Sequence, residues 1–97
     1  MKHVDTVKAI LAGHKEELRE RFSVKDIGVF GSYVKGKQHE RSDIDVLVEF
    51  EKPVGLFDFM ALEEYLSSLL GAKVDLVSKK ALKPKIGERI LSEVIYA

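Results

Sequence analysis

Residues 42–50 carry the strongest structural signal in the chain. Apolar and acidic side chains alternate along this segment, so that Ile44, Val46, Val48 and Phe50 share one side while Asp43, Asp45, Leu47 and Glu49 share the other. Such alternation predicts a β-strand with one buried face and one partly open face. Because one strand cannot bury its apolar face alone, the rest of the chain must supply further strands and a covering layer of helices.

The remaining segments supply these parts in a simple order. Apolar residues at helical spacing predict one helix over residues 4–22, and alternation predicts a strand over residues 24–31. We expect about one or two helical turns from Ser32, then a helix from Leu56 that ends at Gly71, a short strand over residues 73–77, and a last helix opened by Pro84. The sequence therefore predicts an α/β (α+β) fold: a small mixed sheet of three or more strands with helices packed on one face.

Length and composition limit the range of possible functions. Residues 1–97 are enough for a single domain, with little chain left for a separate substrate-binding domain. The 16 basic and 16 acidic residues cancel, which disfavours direct binding of nucleic acid. The absence of cysteine excludes disulfides and thiolate chemistry. No signal peptide or membrane span is recognisable, so we expect a cytoplasmic protein without a membrane partner.

Two aspartates on the open face of the clearest strand form a candidate metal site. Asp43 and Asp45 are two residues apart, so their side chains point the same way from Cα atoms about 6.5 to 7 Å apart. Mg²⁺ prefers oxygen ligands and is often completed by substrate phosphates. Asp75, on the corresponding side of another predicted strand, is a candidate third carboxylate for a second ion or for proton transfer. The alternative is a solvated polar face without function.

Gly31 and Ser32 follow the first predicted strand and are candidates for phosphate binding. Backbone N–H groups at the start of a helix attract anions, and glycine permits close approach. Ser32 is also a common type of helix N-cap. Lys35, Lys37 and Arg41 lie in the following loop and are suited either to phosphate charges or to a solvated surface. The order of these features, with ten residues between Ser32 and Asp43, favours nucleotide transfer.

At these residues the sequence resembles the nucleotidyltransferase superfamily related to DNA polymerase beta. The matching residues are Phe30-Gly31-Ser32 and Asp43-Ile44-Asp45-Val46, with Asp75 as the later carboxylate. The short length is similar to that of the minimal nucleotidyltransferase branch. The resemblance implies Mg²⁺ as cofactor and ATP as substrate, with Asp43, Asp45 and Asp75 as metal-binding and catalytic residues. It further implies nucleotide contacts from Gly31, Ser32, Lys35 and Arg41.

Members of this branch are commonly antitoxins paired with a HEPN-domain toxin, and some transfer AMP from ATP to a tyrosine of the toxin. The resemblance thus implies a protein adenylyltransferase with a HEPN toxin as partner in a hetero-oligomer. Many members carry Arg where this chain has Lys35, which keeps the charge but lacks the bidentate fork of Arg.

Two alternatives to protein adenylylation remain open at this point. The first is an antitoxin that neutralises its partner by binding, without catalysis. The second is nucleotidyl transfer to a small molecule such as an aminoglycoside, for which so short a chain would need a second copy or another chain to build the pocket. The apolar run Val94-Ile95-Tyr96 is suited either to completing the core or to contacting a partner.

Overall fold

The computed structural model describes residues 4–31 and 43–97. In chain order the elements are α1 (Val4–Gly13), α2 (Lys15–Phe22), β1 (Val24–Phe30), β2 (Ile44–Phe50), α3 (Leu56–Leu70), β3 (Val74–Ser78), a 3-10 helix (Lys79–Ala81), α4 (Pro84–Glu93) and β4 (Ile95–Tyr96). The strands form one sheet in the order β3-β2-β1-β4. β2 is antiparallel to β1 and parallel to β3, while β4 is antiparallel to β1. The predicted mixed α+β fold is confirmed. The helical turns predicted from Ser32 lie outside the described residues.

The hydrophobic core lies on one face of the sheet, between the strands and helices α1, α2 and α3. The predicted apolar face of β2 is confirmed, because Ile44, Val46 and Val48 are fully buried there. The remaining core side chains come from the helices and the neighbouring strands: Val7, Leu11, Leu18, Val24, Ile27, Val29, Leu62, Leu66, Leu70, Val74 and Leu76. The opposite face of the sheet is thereby left to carry the acidic side chains of β2 and β3.

The first strand contains an irregularity that the alternating pattern does not predict. The register of β1 against β2 shifts between Val24 and Asp26. Because side chains alternate along a strand, residues three apart normally point to opposite faces. The shift lets both Val24 and Ile27 point into the core, where their side chains are 4% and 1% exposed.

The prediction of one continuous helix over residues 4–22 is wrong in one respect. The helix is interrupted at His14, which separates α1 from α2. Gly13 ends α1. Glycine in a helix interior is less favourable than alanine by about 1 kcal/mol, which is consistent with an interruption here. The backbone carbonyl of His14 accepts the N–H of Leu18 at 2.9 Å and so starts the second helix. The predicted apolar residues Val7, Leu11 and Leu18 still face the core.

Helix α3 has the predicted bounds, and only one of its two apolar sides is buried. Gly71 ends the helix with φ 67°, as predicted for a C-terminal glycine. Leu56 and Met60, two of the apolar residues at helical spacing in this segment, are 70% and 53% exposed. The buried stripe is Leu62, Leu66 and Leu70. At about 100° per residue, Met60 points roughly 200° away from Leu62, so both cannot face the sheet.

The C-terminal segment adds a fourth strand. The apolar run 94–96 was left open between a core and a partner role; here Ile95 and Tyr96 form β4 and pair with Val29 and Gly28. Ala97 N–H donates to Ile27 O at 2.9 Å. A Cβ on Gly28 would lie 2.7 Å from Cγ2 of Val94, so this close approach requires glycine. Two residues are too few for alternation to predict the strand.

Within residues 4–31 and 43–97, no helix has both the length and the apolar character needed to cross a membrane.

Candidate active site

The predicted acidic residues come together on the sheet face that lies opposite the core. Asp45 of β2 and Asp75 of β3 are direct partners in the parallel register, so their backbones are about 4.8 Å apart. Asp43 lies immediately before β2 and, two residues from Asp45, shares its side of the strand. Val74 and Leu76 point into the core, which directs Asp75 to the opposite, exposed face as predicted. The fold therefore concentrates three carboxylates at one end of adjacent strands.

The electrostatics of this acidic cluster (Asp43, Asp45 and Asp75) centre on Asp45. Burial raises the pKa of the Asp45 carboxyl above its ordinary value, and the carboxylates of Asp75 and Asp43 raise the pKa further. Each cause disfavours the ionised form of Asp45. A cation bound among these side chains would relieve the repulsion. The site is thus suited to binding positive charge.

Gly31 brings the backbone at the end of β1 against the Asp45 carboxylate. Its φ is +77°, in the left-handed region that favours glycine. A Cβ at this position would overlap Oδ2 of Asp45 and would lie 3.1 Å from its Cγ. The preceding residue, Phe30, pairs with Asp45 across the antiparallel strands. The glycine therefore meets a requirement for both backbone conformation and space directly beside the acidic cluster.

The sequence of the chain matches that of an enzyme family. The sequence profile of the nucleotidyltransferase domain matches residues 11–97. The chain belongs to the nucleotidyltransferase domain family. It is 54% identical over 93 residues to the protein adenylyltransferase MntA of Thermococcus cleftensis, an alignment that covers 96% of this chain and 94% of that protein. The expected enzyme class, a nucleotidyltransferase, is confirmed.

Solved structures of nucleotidyltransferases share the fold. A structure described as a minimal nucleotidyltransferase superimposes with a TM-score of 0.80 at 36% identity, covering 97% of this chain and 95% of that one. A chain of a toxin-antitoxin complex with AMP-PNP gives 0.72 at 28% identity, covering 84% of this chain and 67% of that one. At 21% identity and a TM-score of 0.68, the fold also occurs in the complex of a tri-AMPylated Shewanella oneidensis HEPN toxin with its MNT antitoxin; that match covers 93% of this chain and 70% of that one.

The donor set of this nucleotidyltransferase fits Mg²⁺ shared with a nucleotide. Within the described ranges, no group of three or more His, Cys, Asp or Glu side chains is arranged to hold a metal by itself. Mg²⁺ is usually bound by one or two carboxylates together with substrate phosphates, and a complete protein cage is not needed. The repulsion of the Asp45 carboxylate by Asp75 and Asp43, and its close approach to the Gly31 backbone, are both consistent with such a shared site.

The predicted nucleotide-binding residues of this nucleotidyltransferase fall in two groups. Ser32, Lys35 and Arg41 lie outside the described residues, and their roles remain predictions. Gly31 is described and lies beside the acidic cluster, as required of a residue that contacts a nucleotide bound there.

Lys73 is a charged neighbour of the site that sequence reasoning missed. Its Nζ lies 3.9 Å from Oδ2 of Asp43, and its side chain is 79% exposed. Its backbone carbonyl accepts the N–H of Ile44 at 2.9 Å, which holds the segment before β3 against the start of β2. Only the register of two strands that are 30 residues apart in sequence places Lys73 here, and no local pattern encodes that register.

Two side chains of α3 hold the edge strand that carries Asp75. Because β3 is at the edge of the sheet, its outward-facing N–H groups have no strand partner. Glu63 Oε2 accepts the N–H of Leu76 at 2.9 Å, and Ser67 Oγ accepts the N–H of Val74 at 3.0 Å. The backbone is therefore fixed on both sides of Asp75. The only sequence signal for these two hydrogen bonds is the i, i+4 spacing of Glu63 and Ser67 on a helix that packs on a sheet.

Replacing Glu63 with alanine is expected to destabilise the protein by about 1 to 3 kcal/mol, because the Leu76 N–H would lose a charged acceptor. For a chain of this size, this corresponds to a fall in Tm of about 5 to 20 °C. Thermal unfolding followed by circular dichroism measures the effect, with exposed Glu64→Ala as the matched control. Equal Tm values for the two variants would show that the bond contributes nothing to stability.

Proposed function

We propose that this nucleotidyltransferase transfers AMP from ATP, in a reaction that requires Mg²⁺, to a tyrosine hydroxyl of a HEPN-domain toxin and thereby acts as an antitoxin. The observation that carries the proposal is the register pairing of Asp45 with Asp75, with Asp43 beside them and the Gly31 backbone against Asp45. This arrangement is suited to binding a cation and the phosphates of a nucleotide on one sheet face.

Asp43 and Asp45 are the residues that would hold Mg²⁺, which when bound neutralises charge on the nucleotide phosphates. Gly31 lets the Asp45 carboxylate lie directly against the backbone at the end of β1, since any side chain there would overlap that carboxylate. Ser32, Lys35 and Arg41 are proposed to contact the phosphates. Asp75, on the exposed edge strand, is open to an acceptor that approaches from solvent.

The proposed reaction is a displacement at the α-phosphorus of ATP. The tyrosine oxygen forms a bond to this phosphorus, the bond between the α-phosphorus and the bridging oxygen of the β-phosphate breaks, and pyrophosphate leaves. Asp75 accepts the proton of the tyrosine hydroxyl as the new bond forms. The products are an O-adenylylated tyrosine and pyrophosphate.

The relatives support the choice of acceptor and of nucleotide. The Thermococcus cleftensis relative is named a protein adenylyltransferase and aligns over nearly the full length of both chains. The related toxin-antitoxin complex contains AMP-PNP, a non-hydrolysable analogue of ATP. The tri-AMPylated HEPN toxin belongs to a complex whose antitoxin shares the fold of this chain. Together they favour ATP over other nucleotides and a HEPN protein over a small acceptor.

A direct test mixes the purified protein with α-labelled ATP, Mg²⁺ and a HEPN-domain protein from the same genome. We expect label on a tyrosine of the HEPN protein, located by mass spectrometry, and its loss when EDTA is added. Asp26→Asn, the same change on β1 far from the acidic cluster, serves as the control and is expected to retain transfer. Absence of label from every HEPN-domain protein of that genome would refute the proposal.

One observation favours a second candidate, an antitoxin that neutralises by binding alone. Leu56, Phe57 and Met60 form an exposed apolar surface on α3, with Phe57 84% exposed. An Asp43→Asn, Asp45→Asn double variant separates the two functions. A binding antitoxin would still neutralise the growth arrest caused by its toxin, whereas an adenylyltransferase would fail to do so.

A further inference from the structure

We propose that the start of α3 carries a docking site for the protein acceptor, and that this site recognises a large apolar side chain flanked by carboxylates. The proposal rests on the function proposed above and adds the surface that selects the partner. We call this surface the docking cleft. It is a cleft of about 350 Å³ between the end of β2, the turn before α3 and the end of β3. The cavity is lined by Phe50, Lys52, Pro53, Val54, Gly55, Leu56, Phe59, Ser78 and Lys80. Phe57 and Met60 lie one and four residues after Leu56 on α3, and we count them as the rim of the docking cleft.

The side of α3 that forms the rim of the docking cleft is apolar and exposed. Leu56, Phe57 and Met60 share one side of the first turns of α3 and are 70%, 84% and 53% exposed. Their side of the helix is turned away from the buried Leu62 stripe, so they contribute nothing to the core. Phe59 forms the floor through an edge contact with Phe50, with ring centroids 6.3 Å apart. Exposed apolar patches next to a cleft are typical of interaction sites.

The charges that line the docking cleft select the kind of partner. Lys52 and Lys80 are its charged lining residues. The ion pairs among the described side chains involve Arg21, Lys73, Lys79 and Arg89, and neither Lys52 nor Lys80. Lys79, by contrast, pairs with Glu49 at 3.7 Å. The acidic residues Asp58 and Glu64 of α3 do not line the cleft. A partner that places carboxylates over these two lysines and an apolar side chain between them complements the cleft.

The same charges argue against a second copy of this chain as the occupant. A two-fold contact through the docking cleft would bring the Lys52 and Lys80 pairs of both copies together, and like charges that meet in an interface cost free energy. A membrane surface would accept the lysines and the exposed Phe57, but a lipid surface has no protruding group to fill a concave cleft. An inserted protein side chain fills it.

The position of the docking cleft separates docking from reaction. The acidic cluster lies at the start of β2, and the cleft lies at its end, five residues further along the strand. At about 3.3 Å per residue, the two are about 16 Å apart. The acceptor tyrosine therefore cannot be the side chain held in the cleft. A partner must occupy the cleft with one segment and present its tyrosine from another, as a folded protein can.

The test measures AMP transfer to the HEPN-domain protein as a function of its concentration, in the full chain and in Phe57→Asp. We expect the KM for the acceptor protein to rise about 30-fold in the variant, as for the loss of an aromatic interface residue, with kcat and the KM for ATP unchanged. Lys80→Glu should also raise the acceptor KM. The matched controls are Ile86→Asp, an apolar residue 58% exposed on α4, and exposed Lys85→Glu, which should leave it unchanged.

Several other outcomes would overturn the docking cleft. Equal acceptor KM values for the wild type and Phe57→Asp would overturn the docking cleft while leaving transfer intact. Two other results would also overturn the docking cleft. One is a wild-type dimer that Phe57→Asp converts to monomers in sedimentation. The other is binding to phosphatidylserine vesicles that Phe57→Asp abolishes without changing the acceptor KM. If no transfer occurs, calorimetric titration of the HEPN protein into the wild type and Phe57→Asp still tests the cleft. Failure of adenylylation and failure of docking are thereby distinguished.

Discussion

Replacing Asp45 with asparagine is expected to abolish nucleotidyl transfer and, in the absence of metal, to stabilise the fold. Transfer should fall about 10³-fold, because the amide supplies no negative charge to a cation that neutralises the phosphates. The free energy of unfolding should rise by about 0.5 to 1 kcal/mol. Asp45 directly faces Asp75 on the adjacent strand, and like charges in that position repel. Asp45→Asn should therefore lower the activity while raising the stability of the metal-free protein.

The pH dependence of stability follows from the direction of the pKa shift. Burial and the neighbouring carboxylates hold the pKa of Asp45 in the folded protein above its ordinary value. Protonated Asp45 is therefore favoured by folding, and its stabilising contribution is present below the unfolded pKa and is lost as the pH rises through the folded pKa. The advantage of Asp45→Asn over the wild type should accordingly be largest at neutral pH and should disappear in acid. Tm measured in EDTA at pH 7 and below pH 4 tests this.

Adding Mg²⁺ and AMP-PNP should reverse the order of stability. A ligand that binds only the folded state stabilises it by about 2.7 kcal/mol at 100 times its Kd. The wild type is expected to gain this stabilisation, and Asp45→Asn is expected to gain little. Asp26→Asn should gain as much as the wild type because Asp26 lies at the far end of β1. If Asp45→Asn is less stable than the wild type in EDTA, repulsion between the Asp45 and Asp75 carboxylates does not destabilise the fold.

The sequence predicted those parts of the fold whose signals are local. The alternation over residues 42–50 identified β2, its buried face and its acidic face, and Gly71 marked the end of α3. Asp75 was predicted on the side opposite Val74 and Leu76, where it lies. Each of these inferences depends only on the period of a strand or on the conformation that glycine allows.

Features that depend on how segments meet were not predicted. The parallel register that pairs Asp45 with Asp75 and places Lys73 beside Asp43 is a property of two segments about 30 residues apart. The support of β3 by Glu63 likewise needs the helix and the edge strand together. The buried side of α3 was not predicted, because apolar residues occur on two sides of that helix and only its packing against the sheet selects one of them. The second apolar side adjoins the docking cleft through Leu56.

Gly31→Ala is expected to give the largest combined loss of stability and activity of any single methyl addition in the described chain. A residue with a Cβ at φ +77° costs about 1 to 2 kcal/mol, and the overlap with Oδ2 of Asp45 adds to that cost. A total of about 2 to 3 kcal/mol corresponds to a fall in Tm of about 10 to 20 °C. Thermal unfolding in EDTA measures this loss without any contribution from ligand binding.

The effect of Gly31→Ala on transfer should exceed its effect on folding, because the methyl group can be accommodated only if the Asp45 carboxylate moves away from its place beside Asp75. Assayed well below its Tm, the variant should show transfer reduced about 100-fold, as for misplacement of a reacting group by about 1 Å. Gly13→Ala is the matched control, since a Cβ there meets nothing within 4 Å and should stabilise α1 by up to about 1 kcal/mol. If Gly31→Ala instead retains wild-type transfer, the backbone at Gly31 has no part in holding Asp45 or the phosphates, and the conformation of Gly31 serves only the end of β1.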